Sequence, residues 1–466
     1  MEDIVARKSR LSRKQSRKLS GKFSVLLLLI VVLLLTAGWI FLFEGKKPEA
    51  SLAGVPSSIG KNTSINIEVS DEGRGLKDIY LYLYKDKREI LLDKQVFQSE
   101  GFLKGSGKLK YNISLEINPE ELGIKDGTAN IRLVARDFSW RSFFKGNQFY
   151  AQKDVLIDTT PPKITVLSRK HYVAPGGAGL VCYKISELDS KSGVIAGGEF
   201  FPGYSGITKD PHYKIAFFAL EHRKKNKPIY IEAVDKAGNI RKAGFNYYIR
   251  KKHYKNDKIN ISDNFLSWKM PEFNVEGEEN LKLVDKFLVV NNKIRKENTE
   301  KIISFAKKSE KKKLWEGSFM QMPGSAKKAG FAEHRSYYYK GRKIDEAYHM
   351  GLDLASVSNA DIPAANSGKV VYSDRIGIYG LTIIIDHGFG LLSIYSHLSL
   401  SDVKDGDIVK KGEIIGKTGT SGFAGGDHLH FGIFINNRFV EPIEWLDGKW
   451  IKNNITSKLD LISSGK

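Results

Sequence analysis

Residues 428–435 read HLHFGIFI. In a strand, residues two apart point to the same face. The imidazoles of His428 and His430 therefore project together, while Leu429 points into the core and Phe431, Ile433 and Ile435 continue an apolar face. Two histidines one strand step apart can serve a single metal centre, one as ligand and one as catalytic neighbour. Further strands are read at 368–373, 381–386 and 391–397. Gly388, Gly390, Gly412, Gly416, Gly419 and Gly422 punctuate them, the pattern of strands joined by tight turns.

The chain has ten histidines, and five of them lie between 349 and 430: His349, His387, His397, His428 and His430. Its single cysteine, Cys182, excludes an internal disulfide and a cysteine zinc site, and reads as a small buried apolar residue. A zinc site here must use imidazole nitrogen and carboxylate oxygen. In His349-Met350-Gly351-Leu352-Asp353 the glycine allows a tight backbone path, so His349 and Asp353 can converge on one ion. A catalytic zinc takes three protein ligands and leaves a fourth position for water. His349, Asp353 and one histidine of the 428/430 pair supply that set. His397, in Tyr395-Ser396-His397-Leu398, ends a strand and can reach the same pocket as a non-ligand base. Such a group suits metal-assisted hydrolysis, in which zinc acidifies water and polarises a scissile carbonyl. His387, followed by Gly388, reads as a turn residue, and His171, His212, His222, His253 and His334 as ordinary histidines.

Taken together and in this order, these motifs resemble peptidase family M23, the lysostaphin/LytM type. The resemblance covers residues 330–446. It rests on the motifs at 349–355 and 395–398, on Gly412-Glu413-Ile414-Ile415-Gly416 with Gly419-Thr420-Ser421-Gly422, on 428–433, and on the closing 440–446. It implies an antiparallel β catalytic domain with a narrow groove and an endopeptidase acting on peptidoglycan, with Zn2+ as cofactor. It further implies that His349, Asp353 and His430 bind the metal, and that His428 and His397 are catalytic histidines that do not. One departure is Gly426-Asp427, where many members have Gly-Pro; it lies beside the site and removes no ligand.

Outward from this region the chain is expected to be a mainly β multidomain protein. Residues 1–22 hold eight Lys/Arg and read as a basic cytoplasmic tail. Residues 23–43 are uncharged and long enough for a transmembrane helix, since about 20 residues span a hydrocarbon core. The run exceeds the core of a signal peptide. Positive flanks stay inside, so the catalytic domain is expected in the periplasm or otherwise outside the membrane. Residues 44–160 and 161–255 read as two β-sandwich modules, with Asp158-Thr159-Thr160-Pro161-Pro162 between them. That junction and the Asp235-Lys236-Ala237-Gly238-Asn239 turn resemble immunoglobulin-like modules of exported bacterial proteins. Residues 256–317 read as a helical connector, 318–450 as the peptidase domain and 451–466 as a C-terminal tail.

The formal net charge of +21 favours polyanionic surroundings. Export argues against nucleic acid and for the cell wall, with the β modules free to meet envelope proteins. The rival to an active peptidase is a LytM-type scaffold that activates other hydrolases. That class is expected to have lost one or more of the five site residues, and all five stand here.

Overall fold

An uninterrupted apolar run forms the first element, helix α1, Phe23–Leu42, long and apolar enough to cross a membrane. Thr36 Oγ1, one of two hydroxyls in the run with that of Ser24, turns back to the carbonyls of Val32 and Leu33 at 2.8 and 3.0 Å, and so needs no water. The computed structural model describes residues 23–101, 104–223, 228–275 and 281–463. The basic stretch 1–22 lies outside the described residues. The chain divides into two compact units. One runs to Thr160 and includes Lys236–Asn239; the other holds Pro161–Asp235 and Ile240 onward.

In the first unit, a five-stranded sheet and a three-stranded sheet enclose one core. Strand Leu76–Lys85 shows why. Ile79, Leu81 and Leu83 are buried, while Tyr80, Tyr82 and Tyr84 alternate with them on the half-exposed face.

The second unit is built on an antiparallel sheet. Its strands are β1 (Ala326–Ala329), β2 (Leu352–Ala355), β3 (Gly368–Arg375), β4 (Leu381–Asp386), β5 (Leu391–Leu398), β6 (Ile408–Val409), β7 (Leu429–Ile435) and β8 (Arg438–Val440). Their order is β1-β2-β7-β5-β4-β3-β6, with β8 beside β7. Every residue of β5 and of β7 is buried. Period-two alternation sends Ile383, Ile385, Ile433 and Ile435 to one core and Ile384, Leu392, Ile394 and Phe434 to another. Both faces of this sheet are thus covered, not one alone.

What covers them departs from the domain reading. The segment expected as a second, separate β module packs on one face: Val181, Phe217 and Phe218 share a core with Phe431, Ile433 and Trp445. Strand Ala178–Ile185 is almost wholly buried, so neither of its faces can be left to water. The expected tail is not a tail. Residues 451–463 are helical, and Ile451, Ile455, Leu459 and Ile462 recur at helical spacing and enter the same core. Lys458 Nζ there donates to the Leu180 carbonyl at 3.0 Å.

The expected connector covers the opposite face. It starts as a strand, Asn256–Ile261, parallel to His334–Tyr339. Helix Asp263–Lys269 follows, capped by the Ser262 hydroxyl, which accepts from Phe265 N at 3.1 Å. Helical segments Leu283–Val289, Val290–Ile294 and Arg295–Ala306 come next. Leu266, Met270, Phe287, Val290 and Ile302 pack with Ile384, Ile394 and Phe434. Reading 256–317 as a helical connector left open what its apolar residues would meet.

Phe287 tests this integration. It is fully buried, with ring centroids 5.3 Å from both Tyr337 and Phe423. Phe287→Ala should destabilise the second unit by about 3–5 kcal/mol, read as a lowered denaturation midpoint. A connector independent of the sheet would leave that midpoint unchanged.

Candidate metal centre

The register of β2 on β7 sets Asp353 directly opposite His430. β5 on the other side of β7 sets Ser396 opposite His430, and His397 follows it. His349 precedes β2 across Met350 and Gly351. Gly351 is needed for space: a Cβ there would lie 2.6 Å from His430 Nε2 and 2.7 Å from the Phe431 carbonyl.

Three electron-pair donors meet at this point. His349 Nε2 lies 2.8 Å from Asp353 Oδ1 and 2.9 Å from His430 Nδ1, and His430 Nδ1 lies 2.9 Å from Asp353 Oδ1. All three residues are buried. His349 Nδ1 donates to the Gly330 carbonyl at 2.7 Å, which leaves Nε2 with a lone pair facing the other two atoms. Two imidazoles and a carboxylate crowded this way hold too few protons to bridge all three contacts. A cation relieves that crowding, and the donor set is the nitrogen and oxygen set zinc accepts. With zinc bonds of about 2.0–2.2 Å, one ion can touch all three atoms. The residues present fit the metal.

The other two histidines border the same cavity, of about 110 Å3. His428 lies just before β7 and sends Nε2 to within 3.5 Å of Asp353 Oδ1, while its Nδ1 donates to the Gly426 carbonyl at 2.7 Å. His397 has a φ of 67°, a left-handed conformation uncommon outside glycine, and its Nδ1 donates to the Ser421 carbonyl at 2.8 Å. The ring centroids of His397 and His428 are 5.0 Å apart. All five residues singled out in the sequence thus line one cavity. His387 does not. It is buried elsewhere, with Nδ1 2.8 Å from the Ser367 carbonyl and Nε2 2.7 Å from Ser393 Oγ. His334 pairs with Glu346 and stacks on Tyr348.

Electrostatics separate the five. Burial works to raise the Asp353 carboxyl, yet His349, with hydrogen bonds from His349, His428 and His430, holds it well below the usual range. Burial pushes His430 down to about 4. Burial, then His428 and His430, drive His397 well below an ordinary imidazole. Burial also pulls on His428, but Asp353 outweighs it and the pKa ends up raised.

Several neighbours had no sequence signal. Arg335 donates to Asp353 Oδ2 at 3.1 Å and so leaves Oδ1 for the histidines. Tyr337, Tyr379, Arg295 and Phe423 also line the cavity. Phe423 packs edge-on against Phe265 and Phe273. Glu272 Oε2 accepts from Gly422 N at 2.8 Å, and Lys269 Nζ donates to the Thr420 carbonyl. The helices therefore brace the loop whose Ser421 carbonyl orients His397. Asp427, the departure from the family pattern, has a structural task. It accepts from Thr418 Oγ1 at 2.6 Å, Ser358 Oγ at 3.1 Å and Asn359 N at 3.2 Å, which ties the loops at the cavity rim together.

Residues 347–442 match the sequence model of peptidase family M23, and this part of the chain is an M23 domain. The chain is 35% identical over 95 residues to the DD-carboxypeptidase/endopeptidase Mpg of Neisseria meningitidis serogroup B, a match covering 20% of this chain and 22% of that protein. It is 31% identical over 116 residues to the peptidoglycan DD-endopeptidase ShyB of Vibrio cholerae serotype O1, covering 25% and 26%. With the murein hydrolase activator EnvC of Escherichia coli it shares 30% over 96 residues, covering 21% and 23%. The chain thus spans about a quarter of the length of these relatives.

Gly351→Ala should weaken metal binding by about 10–100-fold, the usual effect of disturbing a ligand's support, because the added methyl displaces His430. Competition against a chromophoric chelator measures it, and unchanged affinity would remove His430 from the metal site.

Proposed function

We propose that the M23 domain is a zinc-dependent endopeptidase that hydrolyses peptide bonds of peptidoglycan. One observation carries this reading. Five side chains from three separate stretches converge on one cavity, three as a nitrogen and oxygen donor set and two imidazoles beside it. His349, Asp353 and His430 would hold the zinc. A zinc ion bound there would supply a Lewis acid that lowers the pKa of water and polarises the scissile carbonyl.

The remaining work falls to this chain's own groups. His428 and His397 have pKa values pushed in opposite directions, the arrangement that divides acid from base. His428, whose pKa Asp353 raises, would donate from Nε2 toward negative charge developing on the carbonyl oxygen. His397, neutral through burial, accepts a proton at Nε2. Their Nδ1 bonds to Gly426 and Ser421 hold both rings in position for these roles. Arg335 holds Asp353 in its ligand geometry.

In this reading α1 anchors the protein with its basic N-terminus in the cytoplasm and residues beyond it in the periplasm or outside the membrane. The first unit, two packed sheets, serves as an immunoglobulin-like spacer. It and the β segment after Pro161 are surfaces for envelope proteins. The net charge of +21 draws the chain to anionic wall polymers. The likeness to EnvC, a murein hydrolase activator, points to a scaffold reading. A scaffold does not need the five-residue set, and its presence in full favours the peptidase.

The deciding experiment incubates the zinc-loaded full chain with purified sacculi, with and without a chelator. Mass spectrometry of released peptides should show new termini that vanish with the chelator. No release, with stimulation of a second hydrolase, would establish the scaffold instead. His430→Ala should lose both zinc and hydrolysis. His428→Ala should keep zinc and lose about 10²–10⁴-fold in rate, the contribution of one acid-base group; loss of zinc there would reverse the two roles. Ligating imidazoles must be neutral, so protons compete with the metal as pH falls. Zinc affinity and rate should decline together on the acid side, and a flat profile down to about pH 4 would contradict the site.

A further inference from the structure

A second cluster of carboxylates lies in the first unit, at the end of α1. Glu44, Asp71 and Asp137 each bring one oxygen within 4.8 Å of the others. Asp71 is 3% exposed and Asp137 fully buried. Asp137 is spoken for by hydrogen bonds: Oδ1 accepts from Ser139 N at 3.0 Å and Asn147 N at 2.7 Å, and Oδ2 from Asn147 Nδ2 at 2.8 Å. Asp71 is only half satisfied. Its Oδ2 accepts from Gly73 N at 3.1 Å and Gly75 N at 2.8 Å, and its Oδ1 is buried with no partner. A buried carboxylate oxygen left bare costs several times a normal hydrogen bond, so this position calls for a ligand.

Charge points the same way. The nearby guanidinium of Arg74 offsets one of three negative charges, and its Nη1 donates to the Phe138 carbonyl at 2.7 Å. Burial, then the neighbouring acids, raise the pKa of both Glu44 and Asp71. The loop 71–75 closes tightly on the group: a Cβ on Gly73 would lie 1.6 Å from Glu44 Oε2. Every donor is an oxygen, which selects a hard cation. Three carboxylates from the protein suit calcium, whereas magnesium keeps most of its waters and takes one or two.

We propose that Glu44, Asp71 and Asp137 bind one calcium ion that fastens the end of α1 to the first β unit. Glu44 is the residue that makes this a clamp, since it stands two residues past Leu42, where α1 ends. The joint around it is already built. Trp140 N donates to the Leu42 carbonyl at 2.8 Å, Arg141 Nε to Phe43 at 2.9 Å, and Ser139 Oγ and Asn147 Nδ2 to Glu44, each at 3.1 Å. This stretch already meets the 71–75 loop, since Arg74 N donates to Glu44 Oε1 at 2.8 Å and Lys46 pairs with Glu72; calcium adds a link between the carboxylates themselves. Helix and β unit then move as one body when calcium is bound and hinge at residues 44–48 when it is not.

The test uses the zinc-loaded full chain in neutral detergent micelles, with millimolar magnesium throughout. Equilibrium dialysis with radioactive calcium should count one ion per chain, with a Kd on the order of 10⁻⁴ M, as in extracellular calcium modules. Asp71→Asn and Glu44→Gln each remove one charge at nearly constant shape. Each should weaken binding by about tenfold or more, because affinity follows the ligand charge count. Glu44 is only half-buried, so its variant keeps the fold if Asp71→Asn does not. Calcium should also slow tryptic cleavage after Lys46 in the natural chain and leave both variants unprotected. No calcium bound at millimolar concentration, or binding by both variants as tight as by the natural chain, overturns the site. Calcium binding with no change in cleavage after Lys46 overturns the clamp.

Discussion

The pairing of β2 with β7 is the constraint on which the rest depends. It sets Asp353 across from His430, and β5 on the other side brings His397 to the same residue. Side chains alternate faces with a period of two, so a slip of one residue would send His430 into the opposite core. The register is protected by apolar packing on both sides of β7. Ile433 and Ile435 are locked into one core and Phe434 into the other. The polar site is therefore held in place by residues with no chemistry of their own.

Covering both faces required more of the chain than the sheet itself. One layer comes from the β segment after Pro161 and the C-terminal helices, the other from the segment between 256 and 306. The second layer reaches the site. Phe423, braced by Phe265, Phe273 and Phe287, walls the cavity, and Glu272 and Lys269 tie the loop at 420–422. Packing and site geometry are one system here, because the loop that closes the core also carries the carbonyl that orients His397.

Orientation of the histidines repeats a single device. His349, His397 and His428 each donate Nδ1–H to a backbone carbonyl, of Gly330, Ser421 and Gly426 respectively. Each ring thereby presents Nε2 inward. Burial then sets His397 and His430 low, and proximity to Asp353 sets His428 high. Burial and one carboxylate thus push the pKa values of chemically identical side chains in opposite directions.

The amino-acid order alone pointed to four strands of this sheet, to the apolar helix at 23–42 and to the five side chains that meet in the cavity. These features are local: alternation, run length and short spacings such as 349 to 353 are properties of a few neighbouring residues. It did not reveal Arg335, Phe423, Glu272 or the carbonyls that hold the rings. Those partners are distant in sequence, and a backbone carbonyl carries no residue-type signal at all. The layers were misjudged for the same reason. The stripe at Leu266, Phe287 and Ile302 and the repeat at Ile451, Ile455 and Leu459 each announce a buried face, but hydrophobic burial is non-directional. Only the tertiary structure decided that both faces close on the sheet that carries His428, Leu429 and His430.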